Sequence, residues 1–330
     1  MVWHQLPKLR VAGSSPVFRS KIIFKFLSNV KNRCNIDFFH ILANTNHMKK
    51  FIVITLLIFS ILLLPTRGIY VCYAENDCRE VPIIMYHSIL KSKKGAYTVS
   101  PDEFKSDLLE LKKLGYESVF IQDVINYCNG TGSLPEKPVV ISFDDGHYNN
   151  YTYAYPILKE VGFEANLNVI GSFCEFSTSS GDCDNPNYSY LTWDEIKELK
   201  ESGVFEIGNH TYAMHKYKPR FGIGKLPNED AETYKNSLTA DVLKLEDKFY
   251  SQCGFKTNIF AYPFGKYEKE SGSILSQLGF EAFLTCNEGI NKLTKGDTSQ
   301  LSHLKRINRN GTLTSQQFFK NNKLVSDTSK

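Results

Sequence analysis

Val139-Val140-Ile141-Ser142-Phe143 is an almost unbroken apolar run that ends in Asp144-Asp145-Gly146, and this ending constrains the fold more than any other stretch of the chain. Neighbouring side chains of a strand point to opposite faces, so two adjacent aspartates reach one pocket only where the strand stops and the backbone turns. Gly146 permits that turn. The C-terminal end of a buried strand is where α/β enzymes place their chemistry, with one carboxylate free to act as a base and its neighbour free to hold a metal. Taken alone, the tripeptide is equally compatible with a solvated turn.

A second constellation follows the strand-like segment Phe205-Glu206-Ile207-Gly208-Asn209, where His210-Thr211-Tyr212-Ala213-Met214-His215 carries two histidines five positions apart. On an ideal helix these would lie roughly 140° from each other, so they converge only from a loop. One carboxylate with two imidazoles is the ligand set that leaves a catalytic zinc an open position for water. Each histidine by itself is more commonly an ordinary core or surface residue. A third strand-like segment, Ile259-Phe260-Ala261-Tyr262, breaks at Pro263-Phe264-Gly265. Such a break frees backbone N–H groups to face a developing oxyanion, although on its own it reads as a turn.

In this order and spacing the segments resemble the polysaccharide deacetylases, the NodB-homology domain of carbohydrate esterase family four. Ser142 to Gly146 stands for the family's first motif, His210-Thr211 with His215 for the second, and Pro263-Phe264-Gly265 for the third. The five-residue histidine spacing is similar to the branch that contains the poly-N-acetylglucosamine deacetylases. The resemblance implies that Asp144 is the general base, that Asp145, His210 and His215 are metal ligands, and that Phe264 offers its backbone N–H to the oxyanion. The implied ion is divalent, Zn²⁺ first, with Co²⁺ or another divalent ion suiting the same donors. For the general acid the resemblance implies His87, at the end of Val81-Pro82-Ile83-Ile84-Met85-Tyr86, or else His303 in Leu301-Ser302-His303. One departure stands out: Phe260 and Ala261 occupy the place where the third motif usually opens with an arginine, which leaves no candidate to tune Asp144.

The implied reaction is hydrolysis of an acetamide, a poor electrophile attacked by a poor nucleophile. A bound metal addresses both, because it polarises the carbonyl and lowers the pKa of water toward ~7. The expected function is therefore a secreted N-deacetylase acting on N-acetylglucosamine-type residues of a cell-surface glycan. Two alternatives remain at this point: an esterase for O-acetylated glycans such as xylan, and a carbohydrate-binding module that kept the fold and lost turnover. A glycosidase is disfavoured, since adjacent aspartates are too close along the chain to act as a separated acid and base pair.

The N-terminal region sets the expected location. Met48-Lys49-Lys50 opens a positively charged segment, residues 51–64 are apolar, and Cys72-Tyr73-Ala74 precedes an expected cleavage point. This pattern predicts a secretory signal peptide over 48–74, or an uncleaved anchor, the apolar run being short for a comfortable span. Residues 1–47 do not suit a position ahead of such a signal, so Met48 is the expected start. The expected partners are an acetylated polysaccharide, with membrane contact only through an uncleaved N-terminal segment, and the domain is expected to be a monomer. The formal charge of +4 includes the basic leader, which leaves no case for nucleic acid. Of the eight cysteines, six fall after the leader, and Cys174 with Cys183 is the expected disulfide, flanking a polar loop.

Strand-like and helix-like segments alternate. Ser100, Pro101 and Glu103 predict a helix start, as do Thr192 and Glu195. Strands are expected at 118–121, 164–170 and 281–285, with helices near 123–128, 153–161, 231–251 and 273–278. Residues 174–190, 216–229 and the tail after Arg309 are expected as loops around a groove. Regular βα alternation predicts a parallel α/β sheet, and the family resemblance implies its closed form. The expected architecture is a distorted (β/α)7 barrel, a single catalytic domain over 75–330 with its core at about 81–307.

Overall fold

The computed structural model describes residues 77–91 and 94–325. Residues 1–47, the expected signal segment 48–74 and the expected start at Met48 lie outside the described residues. In chain order the strands are β1 Cys78–Val81, β2 Ile83–Tyr86, β3 Ser88–Ile89, β4 Thr98–Val99, β5 Glu117–Ser118, β6 Pro138–Phe143, β7 Ala165–Val169, β8 Phe205–Asn209, β9 Ile259–Ala261, β10 Ala282–Leu284, β11 Asn291–Thr294 and β12 Ile307–Asn308. The helices are α1 Pro101–Lys113, α2 Ile121–Cys128, α3 Tyr155–Val161, α4 Gly171–Ser180, α5 Trp193–Glu201, α6 Ala231–Lys248, α7 Ser271–Gln277 and α8 Ser315–Asn321.

The main sheet is parallel throughout and runs β10-β9-β8-β7-β6-β2-β12, with β5 also paired to β6. Its two edges are joined by the segment that leads into β12. Leu304 bridges Leu284 in parallel and exchanges backbone hydrogen bonds with Phe283 and Thr285, and three residues later Ile307 pairs with Ile84 of β2. This curling gives the seven-stranded α/β barrel that the sequence predicts.

Strand β6 shows why the chain folds this way. All six of its residues are buried, and its side chains alternate between two faces. Val139, Ile141 and Phe143 pack into a core with α1 and α3, and Val140 packs with α2 and β1. Val140, Ser142 and Asp144 share one face, which turns from apolar to polar toward the end of the strand.

Several local expectations are corrected. The expected strand 118–121 is only Glu117–Ser118, and α2 starts at Ile121 rather than Asp123. The cause is tertiary: Glu206 on β8 accepts the N–H groups of Ile121 and Gln122, while Asp123 accepts that of Phe120. These carboxylates cap the helix and pull its first turn forward. The first half of the expected loop 174–190 is helix α4, and the expected C-terminal loop contains α8.

Ser100 caps α1 as expected, but the Glu103 carboxylate does not close that cap. It reaches instead to Ser315 at the start of α8 and to Arg309. The Thr192–Glu195 capping box forms in full.

The expected Cys174–Cys183 disulfide is absent, and all six described cysteines are free thiols. Helix α4 carries Cys174 inward to full burial, whereas Cys183 follows the left-handed Gly181 cap back toward solvent. Among the described residues no helix is long and apolar enough to cross a membrane.

Candidate active site

The C-terminal ends of β2, β6 and β8, with the turn after β9, open into a cleft of about 1000 Å³. Its lining includes His87, Asp144, Asp145, His210, His215 and Phe264, the full set of expected site residues. His303 is not part of it: that side chain is exposed and packs against Tyr267.

Asp144 continues β6, with its N–H bonded to Tyr86 O at 3.1 Å. Its carboxylate is buried and held by a fully buried arginine that sequence reasoning missed. Arg306 donates Nη1 to Oδ1 at 2.7 Å and Nη2 to Oδ2 at 2.8 Å, and Asn168 Nδ2 donates to Oδ1 at 2.9 Å. Burial pushes the Asp144 pKa up, but Arg306 and His210 outweigh it and hold the carboxyl well below the usual range. The guanidinium is itself fixed by Nε donating to Thr285 O at 2.9 Å.

The arginine absent from the third motif therefore arrives from the closing segment before β12. Its signal in the sequence is the stretch Leu304-Lys305-Arg306, where strand alternation puts Arg306 on the same inward face as Leu304. Asn168 is signalled by two asparagines set within the apolar strand β7.

Asp145 adopts φ +76° and turns its carboxylate into the cleft. Its Oδ1 is buried without a hydrogen-bond partner and lies 3.4 Å from His215 Nε2 and 3.7 Å from His210 Nε2. A tetrahedral site with bonds of about 2.0–2.1 Å has ligand-to-ligand edges of about 3.3–3.4 Å. An orphaned carboxylate oxygen at nearly these separations from two imidazole nitrogens fits a shared divalent cation better than direct hydrogen bonds.

The histidines are prepared for that role. His210 donates Nδ1–H to Ala261 O at 2.8 Å, which leaves the Nε2 lone pair for the cleft. Burial, reinforced by His210, lowers the His215 pKa to about 4, so its ring is neutral near pH 7, as a ligand must be. The loop between them is pinned to α6, where Asp241 accepts from Tyr212 N–H at 2.8 Å and Ala213 N–H at 2.9 Å.

A histidine outside the expected set, His147, stands 3.5 Å from Asp145 Oδ2 and stacks on Tyr190 at 5.0 Å. His87, just after β2, has a buried Nδ1 with no partner. Burial lowers its pKa, while Asp144 and Asp145 pull it back up. Phe264 sits at φ +57° in a turn closed by Gly265 N–H to Tyr262 O and Lys266 N–H to Pro263 O, bonds that do not use its own N–H.

Asp145, Thr211 and Phe264 are three of the five non-glycine residues with left-handed backbone among the described residues, one in each motif. Each such residue stores on the order of 1–3 kcal/mol, and this strain gathers where the fold must aim a group.

The family model for polysaccharide deacetylases matches residues 131–283, which carry β6 to β10 and all three motifs. A Bacillus subtilis protein named for polysaccharide deacetylation is 30% identical over 210 residues, covering 64% of this chain and 66% of that protein. The chain belongs to the polysaccharide deacetylase family. The poly-β-1,6-N-acetyl-D-glucosamine N-deacetylase of Escherichia coli is 25% identical over 215 residues, 60% of this chain and 31% of that enzyme. The chain thus spans just under two thirds of the first relative and less than a third of the second.

Among solved structures, IcaB from Ammonifex degensii is 26% identical with a TM-score of 0.59, covering 72% of this chain and 95% of that one. The de-N-acetylase from Aggregatibacter actinomycetemcomitans is 25% identical with a TM-score of 0.61, covering 72% and 99%. These members of the family share the curled seven-stranded barrel.

Proposed function

We propose that this chain is an exported, metal-dependent polysaccharide deacetylase that removes the acetyl group from N-acetylglucosamine-type residues of a cell-surface glycan. The observation that carries this reading is the pairing of two aspartates at one strand end. Asp144 is clamped by Arg306 and kept ionised, while Asp145 leaves an unpartnered oxygen among two imidazole nitrogens.

Asp145, His210 and His215 would hold the ion, which supplies Lewis-acid polarisation of the acetyl carbonyl and acidifies the attacking water. Asp144 takes the proton from that water, and the Arg306 clamp fixes the direction of its lone pairs. The N–H of Phe264 meets the oxyanion, a placement favoured by the left-handed turn that leaves it outside the local hydrogen bonds. His87 delivers a proton to the leaving amine, its Nδ1 having no competing partner in the protein. The products are acetate and a glucosamine unit.

The test is acetate release from β-linked N-acetylglucosamine oligomers by zinc- or cobalt-loaded protein. Asp144→Asn is expected to lose about 10²–10⁴ of the rate. Equal release by Asp144→Asn and the parent, or none by either, sinks the reading. Faster release from acetyl xylan than from the amide substrates reassigns the reaction to an O-acetyl esterase.

A further inference from the structure

We propose that Tyr217 and Phe221 form a sugar-stacking subsite beside the reactive centre, which takes a β-linked N-acetylhexosamine ring adjoining the one that loses its acetyl group. The proposal rests on the deacetylase reading above and names how that site grips a chain rather than a single sugar.

Both rings stand in the open, Tyr217 71% and Phe221 44% exposed, yet both line the cleft. They are stacked on the third-motif turn: Tyr217 lies 4.5 Å from Phe264 at 29°, and Phe221 lies 4.9 Å from it at 11°. Phe264 is in turn 4.2 Å from His215. An unbroken aromatic path therefore leads from a candidate metal ligand to solvent. Isolated exposed aromatics need no explanation, whereas a contiguous set at the mouth of a cleft marks a binding surface.

The loop that presents the rings is braced. Arg220 donates from Nη1 to Glu229 Oε2 at 2.8 Å and to Gly224 O at 2.7 Å, and from Nη2 to Glu229 Oε1 at 2.5 Å. Glu229 also accepts Leu226 N–H at 2.9 Å. Gly222, at φ +55°, passes so close to the catalytic turn that a Cβ there would lie 2.7 Å from Pro263 O. The platform is thus fixed to the same turn that carries Phe264, and a rigid aromatic surface loses little conformational entropy on binding.

The chemistry selects the ligand. A β-linked pyranose with equatorial substituents presents flat faces of axial C–H bonds, which match the electron-rich face of an aromatic ring. The cleft, at about 1000 Å³, stands at the top of the roughly 300–1,000 Å³ range of ligand pockets, which leaves room for a second ring on the platform.

The experiment compares chain-length preference. With metal-loaded protein, kcat/KM is measured on β-linked N-acetylglucosamine dimer and tetramer for the parent, for Tyr217→Ala/Phe221→Ala and for Tyr217→Phe/Phe221→Tyr. The alanine pair is expected to shrink the tetramer-over-dimer ratio at least tenfold, through KM, while the ring-conserving pair keeps it. An unchanged ratio in the alanine pair overturns the subsite. Should the parent release no acetate at all, the reaction proposed above fails by itself. The subsite is then judged by calorimetric binding of the tetramer, which must weaken at least tenfold in the alanine pair and hold in the ring-conserving pair.

Discussion

Arg306 and Asp144 form a pair in which both charges are withdrawn from water, their side chains 0% and 3% exposed. Breaking one side of such a pair typically costs 3–5 kcal/mol, because the other charge stays buried without compensation. Arg306→Met is therefore expected to lose about that much in urea unfolding and to lose turnover as well. Arg306→Met/Asp144→Asn should regain much of the stability and none of the activity; a double variant as unstable as the single one contradicts the pairing. His147 acts on the neighbouring aspartate. Partners that orient a metal-holding carboxylate are worth about 10–100-fold in metal affinity. His147→Ala should weaken zinc by that factor in a chelator competition, with the circular dichroism spectrum unchanged.

At the scale of elements, Glu206 joins β8 to the first turn of α2. Burial pushes its pKa up to about 8, with the two backbone N–H bonds holding it back. Its folded value therefore exceeds that of the unfolded chain, about 4.3. The stabilisation is complete below the unfolded value and is lost as pH rises through about 8. Urea midpoints should fall between pH 5 and 8. Glu206→Gln should flatten that decline and cost about 1–3 kcal/mol, because one helix N–H then faces a donor.

The same junction shows where the sequence was silent. Local signals gave the capping box at Thr192 and the strand that ends at Asp144, since both depend on residues within a few positions. The early start of α2 depends on a carboxylate 85 residues away in the chain, and no window around Ile121 contains it. Arg306 escaped for the same reason, since Asp144 lies 162 residues away in the chain. Five of the six expected site residues were legible because each sits at or just past a strand end beside a glycine, a proline or a second polar group, and His215 by its spacing from His210 in the loop after β8. Their convergence could be read only by analogy with a family.

For the molecule as a whole, the proposed metal loading would be linked to folding, because the unfolded chain has no preformed ligand cluster. A ligand at 100 times its dissociation constant adds about 2.7 kcal/mol. For a domain of this size that corresponds to a rise of about 5–10 °C in Tm with zinc. His215→Ala should abolish the rise, and an equal rise in that variant would show that the ion binds elsewhere.

The barrel closes through one short segment. Arg306 completes Asp144 there, and three positions on Arg309 donates to Asp107 of α1 at 2.7 and 3.0 Å. Asp144, the proposed base, and the Arg306 guanidinium are 162 residues apart, so they meet only when the seam between β12 and β2 is zipped. On the proposed reaction, catalytic competence waits for that closure. In a refolding time course, hydrolytic output should lag behind the return of helical signal, by the interval the seam takes to shut.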